Sequence, residues 1–550
     1  MALREVEWQF DAVDLRPVQR WLTEPAGESG DRGVRVDLAG SRSQIDIYLD
    51  TEDRRFHRAG YALRVRQTGR GKSRAAEATL KEIHSSATGQ RGLRSRREIS
   101  EALERSSPEL LAQSDGPVGE RVRAVAGTRK VRTLFEVRTR RRMLSVEADG
   151  FPPGEIALDE TAIQPGGGGS ATRLHRVEIE APDTALSALQ PFIDELRAAC
   201  RLQPAGLTKY EVGVLTAGIE SAADPFGSTT IEADAPIGRV ALAVLRRQFS
   251  ALTAKEPGTR LGDDNEELHD MRVASRRLRA ALSLFAEVLP PSAAALHDDL
   301  RWVGKTLGRV RDLDVQLDQL GGWLCEVPAP DRDPLTALRT LLEAQRSAAR
   351  ESMLKDLDSR RYELFVGRFG RLLRSARGRR SGPPSLPART IAPDLIEERF
   401  RVFRKAAEQI QDDSPAADYH RLRIRCKRLR YALEFLAEVY PGRTRSPIKR
   451  VVALQDVLGL HQDADVAIAR LRRLAREHSA ELGPEAIFAM GEVAERYRRS
   501  AEELREQFPQ AYARAIGKGW KRFARLIEAE RTLPAHETAS APAPAASGPQ

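Results

Sequence analysis

The sequence predicts an α+β chain of two domains, β-rich first and all-α after, with the second domain built as a pair of similar helical bundles. Three observations carry this. Short alternating runs recur up to about residue 215, helical spacing takes over from Ile237, and one helical pattern returns 151 residues later.

In chain order, residues 44–49, 62–67, 135–139 and 174–179 alternate apolar and polar side chains between Gly, Pro or charged turns, the period of half-buried strands. A helix is expected over 186–199. The first domain is placed at 1–216 and a linker at 217–236, where the stretch DPFGSTTIEADAP is turn-forming in composition. The helical domain is placed at 237–533, with halves at about 237–376 and 394–533. Between them, 377–393 holds four prolines, which are expected to stop any continuing helix. The Ala/Pro/Ser-rich tail, 534–550, is expected to be disordered.

At 550 residues the chain exceeds one core. Its 89 Lys and Arg outnumber 79 Asp and Glu, a net charge of +10 that is modest for the length, so where the cations cluster matters more than how many there are. Cys200, Cys325 and Cys426 match no zinc or redox spacing. The N-terminus has no apolar signal-peptide core, and no run reaches the ~18 apolar residues of a membrane helix. A cytoplasmic protein with no membrane partner is expected.

The repeat is ungapped. Residues 268–285 read LHDMRVASRRLRAALSLF and 419–436 read YHRLRIRCKRLRYALEFL. His269, Arg272, Arg276, Arg277, Leu278 and Arg279 fall on His420, Arg423, Lys427, Arg428, Leu429 and Arg430. At the same offset Leu307-Gly308, Asp312, Asp314 and Val315 fall on Leu458-Gly459, Asp463, Asp465 and Val466. On a helical wheel Arg272, Arg276 and Arg279 lie within about 80° of His269. Met271, Ala274, Leu278, Leu282 and Phe285 take the opposite arc. In the second copy His420, Arg423, Lys427 and Arg430 oppose Leu422, Leu429, Leu433 and Leu436.

Residues 419–436 carry six Lys or Arg against one Glu. Like charges three and four apart repel by a few tenths of a kcal/mol per pair, so an uncompensated stripe in both copies points to an anionic partner. The competing reading is that these arginines pair with distant acids, for which Asp312, Asp314, Asp463 and Asp465 are available. The pattern H-x-x-R-x-x-x-[RK]-R-[LR]-R, twice over and followed by L-G and D-x-D, resembles the CHAD domain over roughly 237–533. The resemblance implies two helical bundles around a basic cavity that binds inorganic polyphosphate. It would be lined by His269, Arg272, Arg276, Arg279, His420, Arg423, Lys427 and Arg430. The second copy departs where Lys305, Arg309 and Arg311 become Asp456, Leu460 and Gln462.

In the N-terminal part, strand alternation puts Glu5, Glu7 and Gln9 on one face, and likewise Arg64 with Arg66, Arg94 with Arg96 and Glu98, Arg138 with Arg140, and Glu178 with Glu180. A barrel of such strands has an ionic interior, in which carboxylates suit a hard divalent cation and Arg or Lys suit phosphate oxygens. Ordinary strands with salt-bridged outer faces would give the same pattern. The order E-x-E, YLDT, ALRVR, TLK, LRSRREIS, ALD, VEIE and LTKYE resembles the CYTH domain of the triphosphate tunnel metalloenzymes over about 3–214. That resemblance implies an antiparallel eight-stranded β-barrel or tunnel that takes a triphosphate compound with Mg²⁺ or Mn²⁺. By position Glu5, Glu7, Asp159, Glu178 and Glu180 would face the metal, with Glu5 and Glu7 catalytic. Arg64, Arg66, Lys81, Arg138, Arg140 and Lys209 would clamp phosphate, the register within RTRRR being open by one residue. The family motif E-x-E-x-K here ends in Gln9, which carries no charge and takes no proton from water at neutral pH.

The expected function is inorganic polyphosphate binding, with a tunnel that binds, and conditionally hydrolyses, triphosphate or polyphosphate. Two alternatives stand beside it: a catalytically inactive protein that targets or senses polyphosphate granules, and a nucleic-acid-binding protein using the basic helices. Only 5% of residues are aromatic and Tyr431 is the one aromatic on the basic arcs, so stacking platforms for bases are scarce.

Overall fold

Along the N-terminal strands the usual alternation is inverted: charged side chains turn to the inside of a closed sheet, and apolar ones turn out beneath helices. The chain is seen in a computed structural model that describes residues 3–24, 34–69, 75–83, 92–104, 111–166, 168–219, 226–326, 329–375, 383–411 and 413–531, without the side chains of 3–5, 325–326 and 329–334. It forms two compact units, Met1–Ala223 with Ala254–Asp264, and Asp224–Thr253 with Asn265–Gln550. The expected tail at 534–550 lies outside the described residues.

The first unit holds β1 (Leu3–Ala12), β2 (Val34–Thr51), β3 (Tyr61–Thr68), β4 (Ala75–Glu82), β5 (Leu93–Leu103), β6 (Val131–Ala148), β7 (Gly154–Pro165) and β8 (Thr172–Glu180). They run β5-β4-β3-β2-β6-β7-β8-β1, and β1 pairs back onto β5, so the ring of eight antiparallel strands closes. A two-residue strand, β9 (Gln203–Pro204), adds to β1. Closure leaves no free edge.

Helices cover the outside. Trp8, Phe10, Leu144, Ile156, Val177 and Ile179 pack beneath α1 (Arg16–Thr23) and α4 (Leu186–Ala199), against Val18, Leu22, Phe192 and Ile193. Leu49, Leu63, Val65, Leu80 and Ile99 pack with Phe56 of α2 (Arg55–Arg58) and Val118, Val122 and Val125 of α3 (Pro117–Ala126). Each such side chain contributes about 1.5–3 kcal/mol on burial. Most of the apolar core therefore lies outside the barrel wall; inside, a smaller apolar cluster that includes Tyr48, Phe135, Val137 and Ile163 sits beside the charged residues.

The LTKYE segment starts α5 (Lys209–Thr216) with a capping box: the Thr208 hydroxyl accepts from the Glu211 N–H, and the Glu211 carboxylate accepts from the Thr208 N–H. Such a cap is worth about 1 kcal/mol. Tyr210 packs with Tyr48, Phe135, Val137 and Ile163. Gly213 sits so close to the Phe135 ring that a Cβ there would lie 2.0 Å from it.

The second unit is helical. Its first half has α6 (Ile237–Leu261, shared with the first unit), α7 (Asn265–Leu284), α8 (Leu296–Glu326), α9 (Ala329–Leu357) and α10 (Arg360–Ser375). The second has α11 (Ala388–Ala407), α12 (Ala416–Phe435), α13 (Arg445–Glu477), α14 (Ser479–Ile516) and α15 (Lys518–Glu530). Helix starts at 237, 265, 296 and 329 recur at 388, 416, 445 and 479, that is, 151, 151, 149 and 150 residues on. The repeat also shows as a contact: Pro236 and Pro387, themselves 151 apart, form an antiparallel bridge. Ile237 N–H donates to the Leu386 carbonyl and Ala388 N–H to that of Ala235. Equivalent residues that bond reciprocally define a local two-fold axis between the halves.

One boundary differs from expectation. The prolines do not hold the second half back to residue 394, because α11 begins at Ala388 and contains Pro393. Proline there removes the N–H that would bond the Arg389 carbonyl four residues earlier. The buried Tyr440 hydroxyl donates to that carbonyl at 3.3 Å and replaces the lost bond.

Candidate functional site

Register fixes which side chains meet inside the barrel. Glu7 on β1 lies directly opposite Glu180 on β8, and Glu180 opposite Glu155 on β7. One step along, Gln9 faces Glu178. Arg42 on β2 faces Arg141 on β6. The resulting cavity of about 280 Å³ is lined by Arg42, Arg64, Arg66, Lys81, Arg96, Arg141 and Lys209, by Glu7, Glu82, Glu98, Glu155, Glu178 and Glu180, and by Gln9, Tyr48 and Tyr210. Seven cations thus alternate with six carboxylates.

The interior charges are nearly all matched. Lys81 bonds Glu7 at 3.1 Å and Glu98 at 3.5 Å, and Arg96 also holds Glu7. Arg66 grips Asp46 through two bonds, at 2.7 and 3.1 Å. Arg141 reaches Asp159 at 2.7 Å and Glu178 at 2.5 Å, and Lys209 bonds the same two carboxylates. Burial alone would raise the Glu178 carboxyl, but Lys209 and Arg141 outweigh it and hold it well below the usual range. The same balance lowers Glu7, against burial, through Lys81 and Arg96. Glu180, exposed at the mouth, goes the other way: burial of its inner side and the neighbouring Glu7 push it up.

Most of the expected tunnel residues gather here: Glu7, Arg64, Arg66, Lys81, Glu178, Glu180 and Lys209 line the cavity. Asp159 is fully buried behind Arg141 and Lys209 and orients them. The Glu5 side chain lies outside the described residues. Arg138 and Arg140 are a correction: both are exposed on the outer face of β6. Alternation turns Val137, Thr139 and Arg141 inward, so Arg141 is the residue of this run that lines the cavity. The run RTRRR offers cations at both parities, which is why the sequence left the register open. Arg42, Asp46 and Glu155 were missed altogether. For Arg42 and Asp46 a signal existed, because both share the parity of Tyr48 on one strand.

Gln9 is buried and its amide N–H donates to Glu178 at 3.4 Å, while its carbonyl oxygen has no partner among the described residues. The motif position therefore holds a neutral group that touches the carboxylate. The charge that a lysine would bring to Glu178 comes here from Lys209 and Arg141.

The row of carboxylates has the donor chemistry of a divalent-ion site. Oxygen-only donors are what Mg²⁺ or Mn²⁺ takes, and acids placed directly opposite one another repel until a cation or proton intervenes. Burial raises the Glu180 carboxyl, and the neighbouring Glu7 carboxylate adds to it. Among the described residues no three such groups already converge on one point, because Glu7 and Glu178 are engaged by Lys and Arg. The donor type fits such an ion, and Glu7, Glu155 and Glu180 are the carboxylates whose register would let them hold it.

The helical unit carries a second charged site. The α7 and α12 stripes and neighbouring helices line a cavity of about 500 Å³ with Arg276, Arg279, Arg301, Arg399, Arg423, Lys427, Arg428 and His297, and no carboxylate is among its lining residues. Burial together with Arg276 and Arg423 brings the Lys427 ammonium down to about 7. Burial, Arg301 and Arg428 lower Arg279 as well.

Of the eight expected helical residues, Arg276, Arg279, Arg423 and Lys427 line this cavity. The others do not. Arg272 donates to the Gly304 carbonyl at 3.1 Å and pairs with Asp312 at 3.3 Å. Arg430 bonds Glu434 at 2.5 Å, and His420 meets Gln462 at 2.6 Å. Burial, then Arg311, lowers the pKa of His269. Arg423 also reaches Asp463, at 3.8 Å, so the competing reading of arginines paired with distant acids holds for part of each stripe. The glycine of the first L-G pair makes room for its arginine: a Cβ on Gly308 would lie 2.2 Å from Arg272, whereas one on Gly459 would stand 3.9 Å from Arg423, an ordinary contact. Arg301, Arg399 and His297 were missed, since they sit outside the repeat motif.

Two domain families match the chain: CYTH over residues 24–211 and CHAD over 243–472. The CHAD domain from the plant Ricinus communis is 30% identical, over 57% of this chain and 99% of its own, with a TM-score of 0.40. PptA from Streptomyces chartreusis is 21% identical, over 50% of this chain and 99% of its own, with a TM-score of 0.42. HpAC1 from Hippeastrum, described as having a dominant triphosphatase activity, is 17% identical, over 38% of this chain and 96% of its own, with a TM-score of 0.29. No curated protein matches. Among the described residues no helix is long and apolar enough to cross a membrane.

Proposed function

Because this chain belongs to the CYTH and CHAD families, in that order along its sequence, we propose that it binds inorganic polyphosphate in its helical pocket and binds and hydrolyses triphosphate or polyphosphate ends in its tunnel, with Mg²⁺ or Mn²⁺. The observation that carries the reading is the helical cavity lined by seven Lys and Arg with no carboxylate. A pocket whose lining holds no carboxylate, and in which among the described residues only Arg301 and Arg423 reach an acid, favours an anion of high charge density, and planar guanidinium forks suit phosphate oxygens. Tyr431 and Phe435 line the cavity but are largely buried, each with Arg277 5.2 Å over its ring, so they offer a base little face to stack on. A ligand of phosphates without bases fits this surface better than a nucleic acid.

In the tunnel, Arg64, Arg66, Lys81, Arg141 and Lys209 would hold the phosphate oxygens in place of the carboxylates they now pair with, and Asp159 would keep Arg141 and Lys209 aimed inward. A divalent ion, when bound, supplies the charge that neutralises the phosphate oxygens and polarises the bond to be broken. Gln9 moves no proton; it positions Glu178. Preorganised cations around the phosphoryl group are the main source of catalysis in phosphoryl transfer.

The test is phosphate release from tripolyphosphate by the whole chain with Mg²⁺ or Mn²⁺, beside a polyphosphate-binding titration. Metal-dependent release that stops with a chelator is expected. Binding without release under any condition removes the hydrolase and leaves a protein that targets or senses polyphosphate granules.

A further inference from the structure

The matched pairs of the tunnel interior stop at one mouth. Arg42 and Arg141 line the cavity and also a second, more open groove of about 700 Å³ on the outside of the barrel, beside α1. That groove adds Arg140 and Arg142, with Ser41 and Gln19 close by, and its one carboxylate is Glu160. Arg42, Arg140 and Arg142 make no ion pair among the described residues, in contrast to Arg66, Lys81, Arg96, Arg141 and Lys209 inside.

This placement has a cost with no visible return in the folded chain alone. Arg42 and Arg141 are cross-strand neighbours, and like charges directly opposite destabilise a sheet. Burial, and after it Arg141 and Arg66, depress the Arg42 guanidinium. Arg140 and Arg142 follow on the same strand, on its other face. The wall at this mouth therefore shows cations on both of its sides, and Arg141 links the inner set to the outer one.

We propose that this groove is a phosphate subsite continuous with the tunnel, in which Arg42, Arg140 and Arg142 take the following phosphates of a linear polyphosphate whose end lies inside. The proposal rests on the phosphate-binding reading of the tunnel and names its substrate class: an extended phosphate polymer, in preference to a compact triphosphate or a nucleotide. No aromatic side chain lines the groove, so a base has nothing to stack on, whereas hydroxyls, an amide and guanidinium groups serve a phosphate chain. The groove is larger than the tunnel cavity, 700 against 280 Å³, which gives room for further phosphates.

The experiment uses the full chain with the helical pocket neutralised by Arg276→Gln and Lys427→Gln, so that polymer binding reports on the barrel. Tripolyphosphate and a polyphosphate of about ten units are titrated by calorimetry with and without Arg140→Ser and Arg142→Ser. Loss of two charge-assisted contacts predicts about tenfold weaker binding of the long chain, with tripolyphosphate changed by less than about twofold. Arg140→Lys with Arg142→Lys should recover most of the loss. Equal losses for both ligands, or no loss for either, overturn the proposal and leave the tunnel reading intact. If the parent binds neither ligand, the tunnel reading itself falls and the subsite with it. Circular dichroism melting distinguishes any of these from misfolding.

Discussion

The tunnel and the helical pocket gather seven Lys and Arg each, yet only the tunnel interleaves them with carboxylates. The difference follows from enclosure. Inside a closed barrel an uncompensated charge has little water to solvate it, so every lining cation but Arg42 is folded with an acid, and a ligand must displace that acid. The helical pocket has no carboxylate in its lining, and among the described residues only Arg301 and Arg423 of its cations reach an acid, so burial and mutual repulsion lower Lys427 and several guanidinium groups. One site is prepared by pairing and the other by repulsion.

The contrast breaks most visibly in stability. Arg141→Ala leaves the buried Asp159 and Glu178 with Lys209 alone, and removing one partner of such a network typically costs about 3–5 kcal/mol. Arg276→Ala removes a cation that other cations repel and should stay within about 0.5 kcal/mol of the parent. Chemical denaturation of both variants checks this; equal losses would remove the distinction between the sites.

Affinity comes next. Arg276→Ala with Arg423→Ala should weaken polyphosphate binding about tenfold or more, while tripolyphosphate turnover is unchanged. Arg272→Ala should do less, since Arg272 is held by Gly304 and Asp312. A surface titration that ranks Arg272 first would relocate the site along the stripe.

The smallest effect is on pH. With Lys427 at about 7 in the free protein, bound phosphate favours its charged form, so binding takes up a proton above neutrality. Affinity should fall about two- to threefold between pH 7 and 8 and flatten in Lys427→Met. In stability the sign is opposite: the folded pKa lies below the unfolded one, near 10.5, so the unfolded chain binds more protons between about 7 and 10 and folding gains as pH rises through that window. Calorimetry in buffers of different ionisation enthalpy measures the proton uptake directly.

Much of this was legible in the sequence because periodicity carries it. The strand parity of Glu7, Gln9, Arg64, Arg66, Glu178 and Glu180 puts them inside the barrel, and the offset of 151 appears again in the starts of α6 and α11 and of α7 and α12. What stayed hidden depended on three-dimensional closure. RTRRR reads equally well in either parity, so only the β6 register with β2 and β7 turns Arg141 inward and Arg138 and Arg140 outward. Arg301, Arg399 and His297 reach the helical pocket from helices whose sequence repeats no basic motif. The role of Gly308 was equally invisible: the helix interior gives up about 1 kcal/mol of propensity so that Arg272 can lie against it.

The bridge between Pro236 and Pro387 has a meaning for the kind of molecule that can be recognised. Halves that bond through equivalent residues present a ligand with two related surfaces running in opposite senses. A nucleic acid strand has a 5′ and a 3′ end, and reversing it changes every contact. Linear inorganic polyphosphate reads the same from either end. A receptor with a local two-fold and a ligand without direction would suit each other, although the pocket lining itself is not two-fold: Arg279 lines it while its counterpart Arg430 bonds Glu434.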